Sequence, residues 1–186
     1  MKPTLVESDY VRAADAIGCE VAAIKAVCKV EAPRGGFLPD GRPTILFERH
    51  KFSAFTMGVY DAKHPNISNR SPGGYGAEGA HQHDRLALAA QLEREPALKS
   101  ASWGKFQLMG FNYAACGFIT LQSFINAMYQ SEGAQLNAFV GFIIHEGLAD
   151  ELRQHRWADF ARRYNGPNYA INRYDTKMAA AYKAAA

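Results

Sequence analysis

Cysteine is scarce in this chain: Cys19, Cys28 and Cys116 are the only three among 186 residues. Three cannot all pair, and none stands in CxxC spacing. This argues against a disulfide framework or a structural zinc site, and for reduced thiols packed as small apolar groups. Long apolar runs are missing as well. The stretch Ala138–Ile144 falls far short of the roughly 18–20 residues that span a bilayer, so no membrane insertion is expected. Near the N-terminus Glu7 and Asp9 interrupt any signal-peptide-like segment, which fits a chain made in the cytoplasm. Concentrated positive charge is also lacking. The net charge is only +3, and the nearest cluster (Arg153, His155, Arg156, Arg162, Arg163) reads as a solvated helix face, so no nucleic-acid partner is expected. Internal repeats and low-complexity tracts are absent.

What is present is 48% hydrophobic and 12% aromatic, the composition of a globular protein, and its length suits a single domain spanning 1–186. Apolar spacing predicts mostly helix. Ser8 or Asp9 can cap a first helix carrying Val11, Ala14 and Ile17, and Gly18 interrupts it. A second helix follows from Cys19 with Val21, Ile24, Cys28 and Glu31 on one stripe, and Pro33 with Gly35-Gly36 ends it. A turn at Leu38–Arg42 and alternation over Thr44–Glu48 predict a small β-excursion between Phe37 and Glu48. The span from Lys63 to Gly79 is rich in turn formers, and Tyr75 among its glycines suggests a surface binding loop. Further helices are predicted at His81–Arg94, Ala97–Leu108, from a Thr120 cap through Met128, and at Leu136–Ile144. Two more carry Trp157–Tyr164 and Tyr174–Tyr182. The fold class read from this pattern is α+β, predominantly helical.

Several polar residues stand out against this apolar pattern. Glu31 continues the buried stripe of its helix, so its carboxyl points inward beside a glycine-rich turn. Desolvation and the helix C-terminus both favour its protonated form, the state a general acid needs. A structural carboxylate paired with Arg34 or Arg42 is the competing reading. Glu48, on the strand that follows, can place a second carboxyl across a cleft, the arrangement glycoside hydrolysis uses, or can pair with Arg49 or His50. Asp40 is a rival second carboxylate inside a Pro-Asp-Gly turn, where such residues bond their own backbone. Ser102 and Gln107 lie among large apolar residues, and Gln107 must find partners there. Tyr164 and Asn165 open a Tyr-Asn-Gly-Pro-Asn-Tyr segment whose aromatic faces and amides suit a sugar ring. The pairs His81/His83 and His145-Glu146 are weak metal signals, and no HExxH motif is present.

Taken in order, these pieces resemble the N-acetylmuramidase family of phage endolysins. The resemblance rests on Glu31 followed by Pro-Arg-Gly-Gly-Phe, on Ile45-Leu46-Phe47-Glu48-Arg49-His50, on Ser102–Gly110, and on Tyr164–Tyr169. More distantly the layout is similar to goose-type lysozymes and lytic transglycosylases. The resemblance implies a lysozyme-like fold and cleavage of the β-1,4 bond between N-acetylmuramic acid and N-acetylglucosamine in peptidoglycan glycan strands. It implies Glu31 as general acid, Gln107 and Ser102 along the cleft, and Tyr164 and Asn165 holding the sugar or the acid. No cofactor and no metal are implied. Phage-type lysozymes carry an aspartate nine positions after the glutamate, where Asp40 stands. The threonine six beyond it is Leu46 here, with Thr44 two positions early, and Glu48, which fits the family's Phe-Glu-Arg-His segment, is the preferred partner. If neither activates water, the lytic route remains, in which the muramyl 6-hydroxyl closes an internal ring. The resemblance uses almost the whole chain, so a single catalytic domain without a separate wall-binding module is expected, as a monomer reaching the wall by holin-type or other release. Two further readings are a peptidoglycan amidase or peptidase using His81/His83 zinc or a cysteine thiol, and a non-catalytic glycan-binding module stacking sugars on Tyr75, Tyr164 and Tyr169.

Overall fold

In the computed structural model, which describes residues 2–186, the first two helices are α1 (Glu7–Ile17) and α2 (Val21–Glu31). α1 starts at Val6 rather than at Ser8 or Asp9. Asp9 is its third residue, and its carboxylate accepts the Val6 N–H at 2.9 Å, satisfying from inside the helix a donor that a cap would take from outside. Val11 faces solvent instead of the core, where Ala13, Ala14 and Ile17 lie. Gly18, at φ +76°, ends α1 in the left-handed conformation glycine tolerates best. α2 buries Ala23, Ile24, Ala26, Val27 and Cys28 and brings Glu31 out in its last turn.

The predicted β-excursion supplies an isolated antiparallel bridge, Phe37 to Pro43, and then β1 (Ile45–Phe47). A short helix unread in the sequence, α3 (Arg49–Phe55), follows directly. The helix predicted at His81–Arg94 is α4 (Ala80–Leu92). The helix predicted over Ala97–Leu108 is a correction. Helix α5 (Arg94–Lys99) stops there, and the chain turns into a hairpin of β2 (Ala101–Trp103) and β3 (Leu108–Met109). Two left-handed residues in the connection, Gly104 at φ +70° and Gln107 at φ +49°, are incompatible with a helix. The sheet runs β1-β2-β3, all antiparallel, with Ile45 opposite Trp103 and Ser102 opposite Met109.

The remaining helices enclose one core. α6 (Leu121–Gln130) begins at Thr120, whose hydroxyl accepts the Ser123 N–H as expected. α7 (Glu132–His145) buries Leu136, Phe139, Val140 and Ile143, whereas Ile144 is half exposed. α8 (Ala149–Arg153) and α9 (Trp157–Asn165) lead to α10 (Tyr174–Ala185), which packs along α2 with Met178 and Ala181 buried. Trp103, Phe47, Phe52, Phe124, Phe139 and Phe160 are its largest buried side chains.

Phe139 joins the hairpin to α9. It stacks on Phe106 with ring centroids 4.5 Å apart and meets Tyr164 edge-on at 5.5 Å. Phe139→Ala therefore opens a cavity between them and costs about 3–5 kcal/mol, to be read as a lower urea midpoint with an unchanged slope.

Candidate active site

α2 ends because Ala32 leaves helical geometry ahead of Pro33, and Glu31 stands at that end, half-buried. Its Oε1 accepts a hydrogen bond from Asn165 Nδ2 at 2.8 Å, the last residue of α9 reaching the last residue of α2. Burial raises the Glu31 pKa above the usual carboxylate range, while the Asn165 bond pulls it back more weakly. The result is a carboxyl that holds its proton longer than one in water and is oriented by a neutral donor.

Next to Asn165, the Tyr164 ring lies among Phe139, Phe160 and Phe142. Burial first, and the Glu31 carboxylate second, push its phenol upward, so it stays neutral.

Glu31 opens into a cleft of about 730 Å³, also lined by Arg34, Phe37, Thr44, Leu46, Glu78, Gln82, Lys105 and Gln107. Gln107 finds the partners it needs inside its own hairpin. Its Oε1 accepts from the Ser102 hydroxyl at 2.8 Å, and its Nε2 donates to the Gly104 carbonyl at 2.8 Å. Ser102 thus braces Gln107 from the buried side of the sheet and does not itself line the cleft.

Glu48 and Asp40 are not among the lining residues. Glu48 lies beneath the glycine-rich segment, with its Oε1 accepting the Tyr75 hydroxyl at 3.2 Å and its Oε2 3.1 Å from His50 Nδ1. That second approach has an ion pair's distance without a hydrogen bond's angles. Asp40 grips its own turn through the Arg42 N–H at 3.0 Å and the Arg42 guanidinium at 2.7 Å, which holds its carboxyl below the usual range. It borders a separate cavity on the other side of Phe37 and Leu38.

The walls of the cleft are held by residues the sequence pattern did not reveal. Glu132 and Gln135, one turn apart on α7, are both buried. Glu132 Oε1 accepts the Gly36 N–H at 2.7 Å. Gln135 donates to the Gly36 carbonyl at 3.3 Å and accepts the Lys105 N–H at 2.7 Å. Lys105 in turn donates from Nζ to the Arg34 carbonyl at 3.0 Å. On the opposite rim, Gln82 donates to the carbonyls of Tyr75 and Ala77, both at 2.7 Å. Arg85 reaches the carbonyls of Phe47, Tyr75 and Asn66. The turn-rich span read as a surface binding loop is strapped to the sheet and to α4.

The alternative chemistries find little support. His83 is buried on the Pro43 carbonyl at 2.8 Å and its pKa is lowered by burial, while His81 is exposed. Among the described residues no three His, Cys, Asp or Glu side chains group as metal ligands. Burial pushes the Cys28 and Cys116 thiols up to about 12, which leaves them protonated and poor nucleophiles.

The family model for N-acetylmuramidase matches residues 20–186. A crystal structure of the Burkholderia AP3 phage endolysin superposes with a TM-score of 0.92 at 42% sequence identity, covering 97% of this chain and 71% of that one. No curated protein matches.

The grip of α7 on the cleft can be tested through its two closest contacts. A Cβ at Gly36 would lie 2.1 Å from Gln135 Oε1, and one at Gly104 would lie 2.6 Å from Gln135 Cδ. Gly36→Ala is expected to destabilise the protein by about 1–3 kcal/mol. Adding Gln135→Ala removes the clash, so urea unfolding of both single variants and the double should give a coupling of about 0.5–3 kcal/mol.

Proposed function

Because this chain belongs to the N-acetylmuramidase family, we propose that it degrades peptidoglycan by cleaving the β-1,4 bond between N-acetylmuramic acid and N-acetylglucosamine, with Glu31 as general acid. The observation that carries the reading is the Glu31–Asn165 pair at the end of α2, where a carboxyl with a raised pKa lines a cleft of about 730 Å³. The reaction needs a proton delivered to the glycosidic oxygen as the C1–O bond breaks. Glu31 supplies it. Asn165 fixes which carboxyl oxygen faces its amide and which is left for the substrate. Tyr164 forms a neutral wall behind both, so no charge develops there to compete with the acid. Gln107, braced by Ser102, lines the cleft where hydroxyl and acetamido groups would lie, while Gln82, buried with its amide on the Tyr75 and Ala77 carbonyls, supports the rim.

The sign of the pH dependence follows from the raised pKa. As pH rises through it, Glu31 loses its proton, and activity falls on that limb. Stability follows the same direction: the contribution of this carboxyl is fully present below the ordinary carboxylate range and is lost as pH rises through the folded value. Glu31→Gln keeps the shape and removes both the acid and the buried charge. Release of reducing ends from purified sacculi is expected to fall at least 100-fold. The variant is expected to melt above the wild type at pH 7, with the difference closing toward pH 4. Sacculi cleared at a near-normal rate by this variant would overturn the proposal.

A further inference from the structure

Hydrolysis needs a second participant. Once the acid has protonated the leaving oxygen, a water must be deprotonated as it adds to C1, or a carboxylate must attack C1 itself. Asp40 is spent on its own turn, Glu132 on the Gly36 and Leu5 N–H groups, and Glu48, which accepts the Tyr75 hydroxyl, does not line the cleft. Glu78 is the one other carboxylate among the described residues that lines the cleft with Glu31.

Its setting is the reverse of Glu31's. Glu31 is half-buried with a neutral donor, whereas Glu78 is about four-fifths exposed, with its Oε2 accepting from Arg34 at 3.0 Å. Such an exposed pair is weak, so it orients the carboxylate without locking it away from a water. The backbone on either side of Glu78 is fixed. Ala77 has its carbonyl on Gln82, and Gly79 is the residue from which α4 springs. The Arg34 backbone is held too, through its carbonyl on Lys105. A desolvated acid that shares one cleft with a carboxylate in a solvated setting is the separation of roles that two-carboxylate glycosidases require.

We infer that Glu78 is the general base of this site, a role that rests on the muramidase reading above. Glu31 gives its proton to the glycosidic oxygen, and the C1–O bond breaks. A water oxygen bonds to C1 from the opposite face, and the proton it loses passes to a Glu78 carboxylate oxygen. The two groups then exchange protons with solvent to restore the starting state. The β-linkage yields an α reducing end.

The test is Glu78→Gln, assayed on purified sacculi for reducing ends, for 1,6-anhydromuramyl ends and for binding by co-sedimentation. Glu95→Gln, which removes a surface partner of Lys99, serves as the control at the wild-type rate. Reducing-end release should fall about 100-fold or more with binding retained, and the share of anhydro ends among the residual products should rise. Early proton NMR of the wild-type product should show the α-anomer first. Glu78→Gln at the wild-type rate with reducing ends, while Glu31→Gln is dead, overturns the inference and leaves the muramidase reading standing. Loss of binding in parallel with activity, or anhydro ends alone from the wild type, also overturns it. An active Glu31→Gln would instead sink the reading on which the inference rests.

Discussion

Two polar side chains on the first turn of α7 set the width of the cleft. Glu132 and Gln135 are buried, and a buried carboxylate or amide is tolerable only when its hydrogen bonds are made. The partners that satisfy them are the Gly36 backbone on one wall and the Lys105 N–H on the other. Each wall is therefore where it is because moving it would strand a polar group away from water. The two glycines complete the arrangement, since a side chain at either Gly36 or Gly104 would occupy the space of the Gln135 amide. The same helix carries Phe139, which supports Phe106 of the hairpin and Tyr164 behind Glu31, so apolar packing and polar grip issue from one element.

The electrostatics of the site follow from depth. Glu31 sits where α2 runs out, shielded by Tyr164 and met by one neutral amide; among the described residues no positive partner draws its proton off. Arg34 and Arg42, either of which would have done so, are engaged elsewhere, by Glu78 and by Asp40. The guanidinium groups near the site thus leave the acid alone.

Much of this was legible in the sequence. The inward position of Glu31 followed from three- and four-residue spacing along α2, and the need of Gln107 for partners from its apolar neighbours. The pairing of Asn165 with Glu31 was read only as one of two possibilities, sugar or acid. What escaped has a common cause. Gly36 and Glu132 lie 96 residues apart and Gly36 and Gln135 lie 99 apart, and no local period encodes such closures. The hairpin at Ala101–Met109 was mistaken for helix because its apolar residues fit both periods, and only the pairing with β1 decides between them. Glu78 lies in a segment with no period at all, and the same holds for the Asn66, Tyr75 and Ala77 carbonyls that Gln82 and Arg85 gather.

The packing of α10 along α2 has a mechanical side. The acid stands at the far end of a rod whose near end is tied to α10 through Tyr182 and Glu20 and whose length is splinted by Met178 and Ala181. A pull or twist applied to the last helix is transmitted along that rod to Glu31. Tethering α10 to a surface or to a bulky partner thereby loads the end of α2 that carries Glu31.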